Sequence, residues 1–594
     1  MVFQLICRDA VRPGLAAIAA FACVAFAPGA ARAQNAILTW NQELLAVTQQ
    51  TSGFLLAGPP DVAMQMAIVD NAMYDAVNVT SGNQYQAFAY SAPAAIGASS
   101  TAAALTAGYQ ALFGVYSASA WTSSATNNRA SAITGAGGVL DQITATYSTA
   151  MAALGSSQAV TDGVAAGTAA ANATLARLNG TGPGSATYAM INGLTPQSAP
   201  GSGSTPGVYV PPSATGGRPE MYPLWGTVGT VGISAAQLQT VMASVTLPGV
   251  TNPAASAADQ VQQSIASAAY AMNLLQTECA GSGVALSATV AAACAAANTA
   301  TSSTLFSPQT LAQNQAALFW NDPGTTIQPP GHWLQIADNV LAGSSLSLME
   351  QARVSAAMST AIVDAGIAAW GDKYVYNLWR PITAIRSCDT STGYSWNSNL
   401  TAASCATNWT SLIATPPHPD YVAGHPAFSG AAATVLTDLL GGSTSFSSSS
   451  NSYCNGGTPG FAADGYTIVS CTLATATAAY ASGTYTIAAH QCNSISLGTS
   501  NANDSPLICA MTISFANFFA ASQGPLGSEY SRVVGGIHTP FAVSDALSIG
   551  NSIGALVLAS NFAAVPEPSA MLVLATAGFG LLGAARRRRT NRGN

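Results

Sequence analysis

The sequence predicts an all-α protein, one large helical bundle with loop insertions. Apolar residues recur at helical spacing along most of the chain, for example in PPDVAMQMAIVDNAMYDAVNV and SLSLMEQARVSAAMSTAIVDAGIAAW. Alanine, the strongest helix former, fills much of the space between them. A chain of 594 residues is long enough to bury a large core, and we find no internal repeat or inter-domain linker.

The elements are expected in this order. Helical patterns cover about 40 to 195, 234 to 300, Ser345 to Trp370, about 506 to 523 and about 541 to 560. Loops rich in Pro, Gly or Ser are expected at 196–232 and at 443–505, the second with short β-like pieces such as GYTIVSC. FWNDPGTTIQPPGHWLQIADNVL is expected to be a loop leading into a helix. The helix from Ser345 is expected to be amphipathic and to deliver Lys373 to a site.

The N-terminal residues 1–33 are typical of a secretory signal peptide. Two arginines precede the apolar stretch GLAAIAAFACVAFAPGA, and Ala31-Arg32-Ala33 forms an A-x-A cleavage pattern. The alternative is a retained anchor helix, which the short apolar run disfavours.

The C-terminal residues 566–594 resemble the PEP-CTERM sorting signal of Gram-negative bacteria. A Pro-Glu-Pro triplet precedes an apolar run from Ser569 to Ala585, and four consecutive arginines follow it. The resemblance implies a short transmembrane helix that holds the protein at the inner membrane until sorting machinery cuts near the triplet. The protein would then be extracellular or attached to the cell surface. A permanent single-pass anchor is the alternative.

Charge and cysteine usage agree with export. Residues 34–585 contain eight basic and 22 acidic side chains, so nucleic acid and anionic lipid are disfavoured as partners. Eight cysteines follow the signal peptide, and in an oxidising compartment they are expected to form four local disulfides. The expected pairs are 279 with 294, 388 with 405, 454 with 471, and 492 with 509. Metal binding by these cysteines is the weaker alternative, because no C-x-x-C occurs.

Three short segments concentrate the rare cations and histidines. They hold three of the eight basic residues of 34–585 and three of the chain's five histidines. The segments are 373–381, from the single lysine Lys373 to Arg380-Pro381; 416–430, PPHPDYVAGHPAFSG; and 531–538, SRVVGGIH. Converging cations require an anion, and arginine forks match tetrahedral oxyanions. Two imidazoles add a ligand or nucleophile and a proton shuttle. These residues predict an oxyanion pocket.

Read in order, K-x6-RP, x-GH and SR-x3-G-x-H resemble the vanadium-dependent haloperoxidases and the related PAP2 acid phosphatases. KYVYNLWRPITAIR, PGHW and AMYDAVN resemble the bacterial haloperoxidase branch. The likeness covers most of 36–560 and implies a helical domain of this type over 34–565.

The resemblance implies vanadate as the cofactor and a role for each matching residue. Lys373, Arg380 and Arg532 would surround its equatorial oxygens, and the Gly424 amide would donate another hydrogen bond. His538 would be the ligand bonded to vanadium. His425 would take a proton from hydrogen peroxide, and Lys373 would polarise the bound peroxide. His418, seven residues before His425, stands where algal bromoperoxidases have histidine, and we count it among the catalytic residues. Halide and small organic molecules would be the other substrates.

Three departures from the family pattern matter. Ala423 stands where the family usually has a serine that bonds the oxyanion, and Pro426 after the histidine is unusual. PAP2 phosphatases commonly place an aspartate four residues after the last histidine, and here that position is Ala542, with Asp545 the nearest acid. We therefore expect a haloperoxidase. An acid phosphatase using the same pocket and a catalytically degenerate surface or matrix protein remain the alternatives.

Other conspicuous residues have plainer interpretations. His332 is expected to be a structural loop histidine and His490 a surface residue of the insert. Asp364 is expected on a helix face or beside an arginine of the site. Arg386 is expected to pair with a carboxylate. Trp370 and Trp379 are expected in the core.

Overall fold

The computed structural model describes residues 35–52, 58–117, 133–179, 205–210, 221–323 and 326–450, strand backbones between 460 and 511, and residues 512–565. The predicted signal peptide and sorting segment lie outside these residues, as do Cys454, Cys471 and His490.

Helices dominate the described residues, which confirms the all-α prediction. They are α1 Ala36–Ser52, α2 Pro59–Thr80, α3 Ser100–Ser117, α4 Val139–Ala152, α5 Gln158–Leu178, α6 Ala235–Met242, α7 Ala257–Ile265, α8 Ala268–Ala280, α9 Ala288–Thr301, α10 Leu311–Phe319, α11 Gln328–Gly343, α12 Leu348–Tyr376, α13 Pro381–Arg386, α14 Gly424–Leu440, α15 Phe518–Gln523, α16 Ser528–Val534 and α17 Pro540–Ser560. Single 3₁₀ turns occur at Trp225–Thr227 and Ala402–Ser404.

The long helix α12 lies at the centre of the bundle. It packs against α2 on one side and against α14 and α17 on the other. Its Ser347 N-cap accepts from the Glu350 amide while the Glu350 carboxylate accepts from the Ser347 amide, a capping box that starts the helix firmly. The prediction that this helix is amphipathic is wrong, because neighbouring helices bury nearly all of its faces.

Two described helices, α12 and α17, are long and apolar enough to cross a membrane by length and composition. Of their most apolar windows, 94% and 56% are buried within the fold. A buried core helix satisfies the same criteria, so these helices give only weak support for a membrane span. The predicted C-terminal apolar helix lies outside the described residues.

Glycines bring α14 and α17 into close contact. A Cβ at Gly550 would lie 2.2 Å from the Ala427 carbonyl oxygen, and one at Gly430 would lie 2.7 Å from that of Leu547. Since a real side chain at either position would clash with backbone, the close crossing requires glycine. This crossing sets the position of the N-terminus of α14, which carries the second motif.

The insert after α14 contains the strands, as expected. They are β1 Phe446–Ser450, β2 Gly460–Phe461, β3 Ile468–Ser470, β4 Ala476–Tyr480, β5 Gly483–Ile487, β6 Cys492–Ser494, β7 Leu507–Cys509 and β8 Met511–Phe515. Four of them form an antiparallel sheet in the order β1-β8-β5-β4. The predicted helix over 506–523 is therefore wrong in its first part. The β-branched residues there pair in the sheet, and only Phe518–Gln523 is helical.

Two of the four predicted disulfides are present, Cys279–Cys294 and Cys388–Cys405. In the fourth predicted pair, Cys492 and Cys509 are register partners on the antiparallel strands β6 and β7. Their side chains, like the pair 454 and 471, lie outside what the structure describes.

Candidate anion-binding site

The two cations of the first motif lie on either side of the break between helices α12 and α13. Helix α12 ends where Asn377 adopts a left-handed conformation with φ of 49° and bonds back to the Lys373 carbonyl. Pro381 then starts α13, with Arg380 at its N-cap. Lys373 therefore lies in the last turn of one helix and Arg380 at the entrance of the next.

The third motif is a glycine turn between α16 and α17. Gly536 has a φ of +73°, and a Cβ there would lie 2.2 Å from the Gly281 carbonyl oxygen. Both the backbone conformation and the close packing exclude a side chain. The turn lets the Ile537 amide bond the Arg532 carbonyl at 3.2 Å, which fixes the path from Arg532 to His538.

The second motif begins helix α14. Gly424 is its first residue, and a Cβ there would lie 2.9 Å from the Trp370 ring. Trp370 is a core residue, as predicted, but its ring also lies beside the site, 5.3 Å from the His418 ring centroid and 5.7 Å from Lys373 Nζ. Glycine is therefore required here by packing, as well as permitting close approach of a ligand to the helix N-terminus.

Arg380 joins two of the predicted histidines. Its Nη1 atom lies 3.0 Å from His538 Nε2, and its Nη2 atom lies 2.8 Å from His418 Nδ1. The same guanidinium donates to the carbonyls of His418 and Ile537, both at 2.6 Å. The side chain is 1% exposed, so the site is built around a buried cation.

The other two cations are equally buried. Lys373 Nζ donates to the carbonyls of Pro419 at 2.9 Å and Asp420 at 3.3 Å. Arg532 donates through Nη2 to the Ala317 carbonyl at 2.9 Å, and its Nη1 lies 3.4 Å from His425 Nε2. His425 is only partly buried, whereas His418 and His538 are buried. The structure thus brings all the predicted site residues of the three motifs to one pocket.

Asp420 is the residue that the sequence analysis missed. Its Oδ1 lies 2.6 Å from His538 Nδ1, and its Oδ2 accepts from Thr539 Oγ1 at 2.8 Å. The alanine at position 542 therefore does not leave His538 without an acid to orient it. Asp545 does not take that place, since it accepts from the Tyr421 hydroxyl at 2.8 Å. The signal available in the sequence was that Asp420 is the single acid of the second motif.

Burial sets the charge states of the pocket. Desolvation, with neighbouring cations, lowers the pKa of His418, His425 and His538 well below the usual range, so all three are neutral near pH 7. Burial also lowers the pKa of Lys373 well below its ordinary value, that of Arg380 to about 10 and that of Arg532 to about 9. Burial raises the pKa of Asp420 to about 6, against the opposing influence of Arg380 and Lys373.

The donor set fits an oxyanion. Within the described part of the chain, no nitrogen of Lys373, Arg380 or Arg532 lies within 4.0 Å of a carboxylate oxygen. Three buried cations whose partners are carbonyls and imidazoles would each be stabilised by a nearby negative charge. Nitrogen donors from several directions, one helix N-terminus and one imidazole lone pair match a tetrahedral anion such as vanadate or phosphate.

Three other residues singled out in the sequence lie outside the pocket, and Asp364 is on helix α12, one of its two expected placements. Asp364 accepts from the amides of Val231, Gly232 and Ile233 and does not contact the arginines of the site. Arg386 donates to the Trp409 carbonyl, so its predicted carboxylate partner is wrong. Trp379 lies in the core, as predicted, and its indole donates to the Tyr270 hydroxyl.

His332 is structural but lies in the second turn of α11 rather than in a loop. Its Nδ1 lies 3.0 Å from Asp322 Oδ2 and its Nε2 lies 3.1 Å from Ser448 Oγ. The connectivity is that of a nucleophilic triad, yet Ser448 is 0% exposed. The three residues tie strand β1 to helix α11.

Two families match parts of the chain. The family described as "VCPO second helical-bundle domain" matches residues 353–565, which contain all three motifs. The PEP-CTERM protein-sorting motif matches residues 564–589. Vanadium chloroperoxidase of Curvularia inaequalis is 31% identical over 130 residues, which are 20% of this chain and 21% of that protein. The chain therefore aligns with only about a fifth of the curated relative's length.

Solved structures support the fold. A bacterial vanadium-dependent iodoperoxidase superposes with a TM-score of 0.57 at 17% identity, covering 90% of this chain and 97% of that one. A holo-type bacterial vanadium-dependent chloroperoxidase gives a TM-score of 0.51 at 14% identity, covering 88% and 96%. Together with the family matches, these likenesses confirm the resemblance to bacterial vanadium haloperoxidases, the helical-bundle fold and the PEP-CTERM signal.

Proposed function

We propose that this chain, which resembles the bacterial vanadium haloperoxidases in its second helical bundle and its fold, is an exported vanadate-dependent haloperoxidase. Its reaction would be the oxidation of halide by hydrogen peroxide to a hypohalous-acid equivalent, which halogenates small organic molecules. The observation that carries the proposal is the pocket itself. Three buried cations have no ion-pair partner among the described residues, and Arg380 contacts His538 and His418 while Arg532 lies beside His425.

The cations bind and orient the anion. Lys373, Arg380 and Arg532 come from three separate helical segments, so they can donate to different oxygens. Each now donates to backbone carbonyls, and an anion would offer a charged acceptor in their place. Because burial lowers the pKa of all three cations, a bound anion would raise those pKa values back towards their ordinary range.

His538 and His425 would have different roles, one as the ligand of vanadium and the other as the proton acceptor. His538 would hold vanadium through Nε2, because its Nδ1 is engaged by Asp420. His425 Nε2 would accept a proton from hydrogen peroxide. Its pKa lies below the usual range, so the imidazole is neutral and able to accept at neutral pH. His425 is also the most accessible histidine of the pocket, which suits a group that meets an incoming substrate.

Bound vanadate would supply a Lewis acid that activates peroxide towards halide without a change in its own oxidation state. The chain's residues neutralise charge, exclude bulk water and move the proton. Lys373 and Trp370 line one side of the pocket, and their burial keeps the cation poorly solvated and therefore strongly attracted to an anion.

The PEP-CTERM match supports export, with cell-surface or extracellular placement after processing in a Gram-negative bacterium. The folded part carries the two disulfides described above, in agreement with an oxidising compartment.

The test uses the purified chain stripped of bound anions and then loaded with orthovanadate. Bromide, hydrogen peroxide and a phenol dye are added, and bromination of the dye is followed by absorbance. We expect bromination that requires both vanadate and peroxide and that is lost in Lys373→Ala. The proposal is overturned if the wild-type protein retains vanadate on gel filtration but no halide supports turnover.

An acid phosphatase is the second candidate, and one specific observation favours it. A nucleophilic histidine needs a carboxylate to orient it, and Asp420 provides this contact for His538 at 2.6 Å. Hydrolysis of p-nitrophenyl phosphate by the vanadate-free protein, with inhibition by added vanadate, would favour this function. Absence of both activities in a folded protein would favour a degenerate surface or matrix protein.

A further inference from the structure

We infer that Asp420 is the positioning residue for His538, holding its imidazole with the proton on Nδ1 and the lone pair of Nε2 directed to the anion pocket. The inference about the tautomer stands on geometry alone. Its consequence for ligand binding rests on the proposed anion-binding function of the pocket.

The carboxylate is itself rigidly held. Oδ1 accepts from His538 Nδ1 at 2.6 Å, and Oδ2 accepts from Thr539 Oγ1 at 2.8 Å. The backbone is anchored as well, because the Asp420 amide donates to the Leu378 carbonyl at 2.9 Å and the Asp420 carbonyl accepts from Lys373 at 3.3 Å. The side chain is 0% exposed, so water does not compete for these contacts.

A second neighbour requires the same tautomer independently. Arg380 Nη1 lies 3.0 Å from His538 Nε2, and a guanidinium can only donate. Nε2 must therefore supply a lone pair. A neutral imidazole carries one N–H, so the proton of His538 is on Nδ1, where it meets Asp420. The acceptor Asp420 at Nδ1 and the donor Arg380 at Nε2 therefore require the same tautomer of His538.

Arg380 makes a different contact with His418. Its Nη2 lies 2.8 Å from His418 Nδ1, but the Pro419 carbonyl oxygen lies 3.3 Å from the same nitrogen, so a donor and an acceptor both face it. Arg380 thus contacts two histidines, and its contact fixes the tautomer of His538 alone. Of these two histidines, Asp420 contacts only His538. Only His538 therefore has its Nδ1–H bonded to a carboxylate.

Asp420 contacts His538 although no acid stands four residues after that histidine. Ala542 stands four residues after His538, where acid phosphatases of the resembling family commonly have aspartate. Here the Ala542 carbonyl accepts from the Ala423 amide at 2.9 Å, which ties the second motif to helix α17. The second motif therefore supplies the positioning acid, Asp420, as well as Gly424 and His425.

The first experiment needs no variant of Asp420. Wild-type protein is labelled with ¹⁵N-histidine, and long-range ¹H–¹⁵N correlation spectra report which ring nitrogen carries the proton. The His538 signals are assigned by their loss in His538→Gln. We expect Nδ1–H for His538 near pH 7. A His538 ring with its proton on Nε2 would overturn the inference.

The second experiment compares Asp420→Asn with Asp545→Asn. Asparagine keeps the size of the side chain, but its NH₂ can donate to Nδ1 and move the histidine proton to Nε2. By isothermal calorimetry with orthovanadate and with inorganic phosphate, we expect Asp420→Asn to bind roughly 10- to 100-fold more weakly. Asp545→Asn, whose carboxylate contacts only Tyr421 among the described hydrogen bonds, should bind like wild type.

The outcomes separate the two proposals. If wild type binds vanadate and Asp420→Asn, folded by circular dichroism, binds it equally, the positioning role is wrong while the proposed function stands. If wild type binds neither anion yet shows the expected tautomer of His538, the proposed function fails while the positioning of His538 by Asp420 stands.

Discussion

Arg380 Nη1 lies 3.0 Å from His538 Nε2, so a buried guanidinium donates to the lone pair that His538 directs to the candidate site. An anion that binds His538 must take this lone pair and offer Arg380 its own oxygens in exchange. The contact therefore couples ligand binding to the position of Arg380. The same guanidinium remains anchored by the carbonyls of His418 and Ile537, which limits how far it can move.

The first prediction concerns the cations. Arg380→Ala and Arg532→Ala should each weaken vanadate binding at least tenfold, since a charge-assisted hydrogen bond contributes about 1.5–3 kcal/mol. Calorimetry on anion-free protein measures the change. Arg386→Ala is the matched control, because Arg386 donates to the Trp409 carbonyl outside the pocket, and it should bind like wild type. Unchanged affinity in both pocket variants would show that the anion binds elsewhere.

The second prediction separates the roles of two histidines. His538→Ala should release vanadate on gel filtration, because it removes the imidazole whose Nε2 would bond to vanadium. Among the described hydrogen bonds, no carboxylate orients another histidine of the pocket in the same way. His425→Ala should keep vanadate and lose halide oxidation near neutral pH, since the proton acceptor is removed. Metal analysis and the bromination assay measure the two effects. Equal loss of vanadium from both variants would contradict this division.

The third prediction concerns Ala423, the N-cap of α14. No side-chain hydrogen bond caps this helix, and the residue has the extended backbone conformation that a serine cap adopts, with φ of −71° and ψ of 136°. Ala423→Ser should tighten vanadate binding by roughly fivefold, about 1 kcal/mol, the size of one net hydrogen bond. Halogenation at limiting vanadate should rise in parallel. Weaker binding with an intact circular dichroism spectrum would show that the second motif does not present its N-cap to the anion.

The fourth prediction concerns a buried acid outside the pocket. Burial raises the pKa of Asp61 from 3.8 to about 8, so the folded protein holds this proton more tightly than the unfolded chain. Its contribution to stability is complete below about pH 4 and is lost as the pH rises towards 8. Asp61→Asn removes this titration. Relative to wild type, the variant should therefore gain free energy of unfolding between pH 5 and pH 8, on the order of 1 kcal/mol per pH unit.

Urea unfolding at several pH values tests the Asp61 prediction. Asp162→Asn, which replaces an exposed carboxylate on α5, is the control for the removal of one acidic side chain. A constant difference between Asp61→Asn and wild type across the pH range would mean that Asp61 is ionised in the folded protein.

The chain's helices and its three motifs were predictable because both depend on local rules. Helical spacing of apolar residues places Pro540–Ser560 within one residue of its observed ends, whereas the helix predicted over Ser345 to Trp370 runs on six residues further, to Tyr376. Two disulfides followed from cysteine spacing in an exported chain. The strand Met511–Phe515 was missed, because a short apolar run reads equally well as helix or strand until a partner is known.

The sequence by itself therefore determined the helical class, the PEP-CTERM motif and the three segments that hold the candidate cations and histidines. Each of these features can be recognised from composition, from local periodicity or from residues a few positions apart. Only the tertiary structure decided the partners of these residues. Asp420 and His538 are 118 positions apart, and Arg380 lies 158 positions before His538, so no local pattern pairs them. Their contacts form because the helix crossings bury all three side chains in one pocket. There, each polar group must find a partner in the protein or in a bound anion.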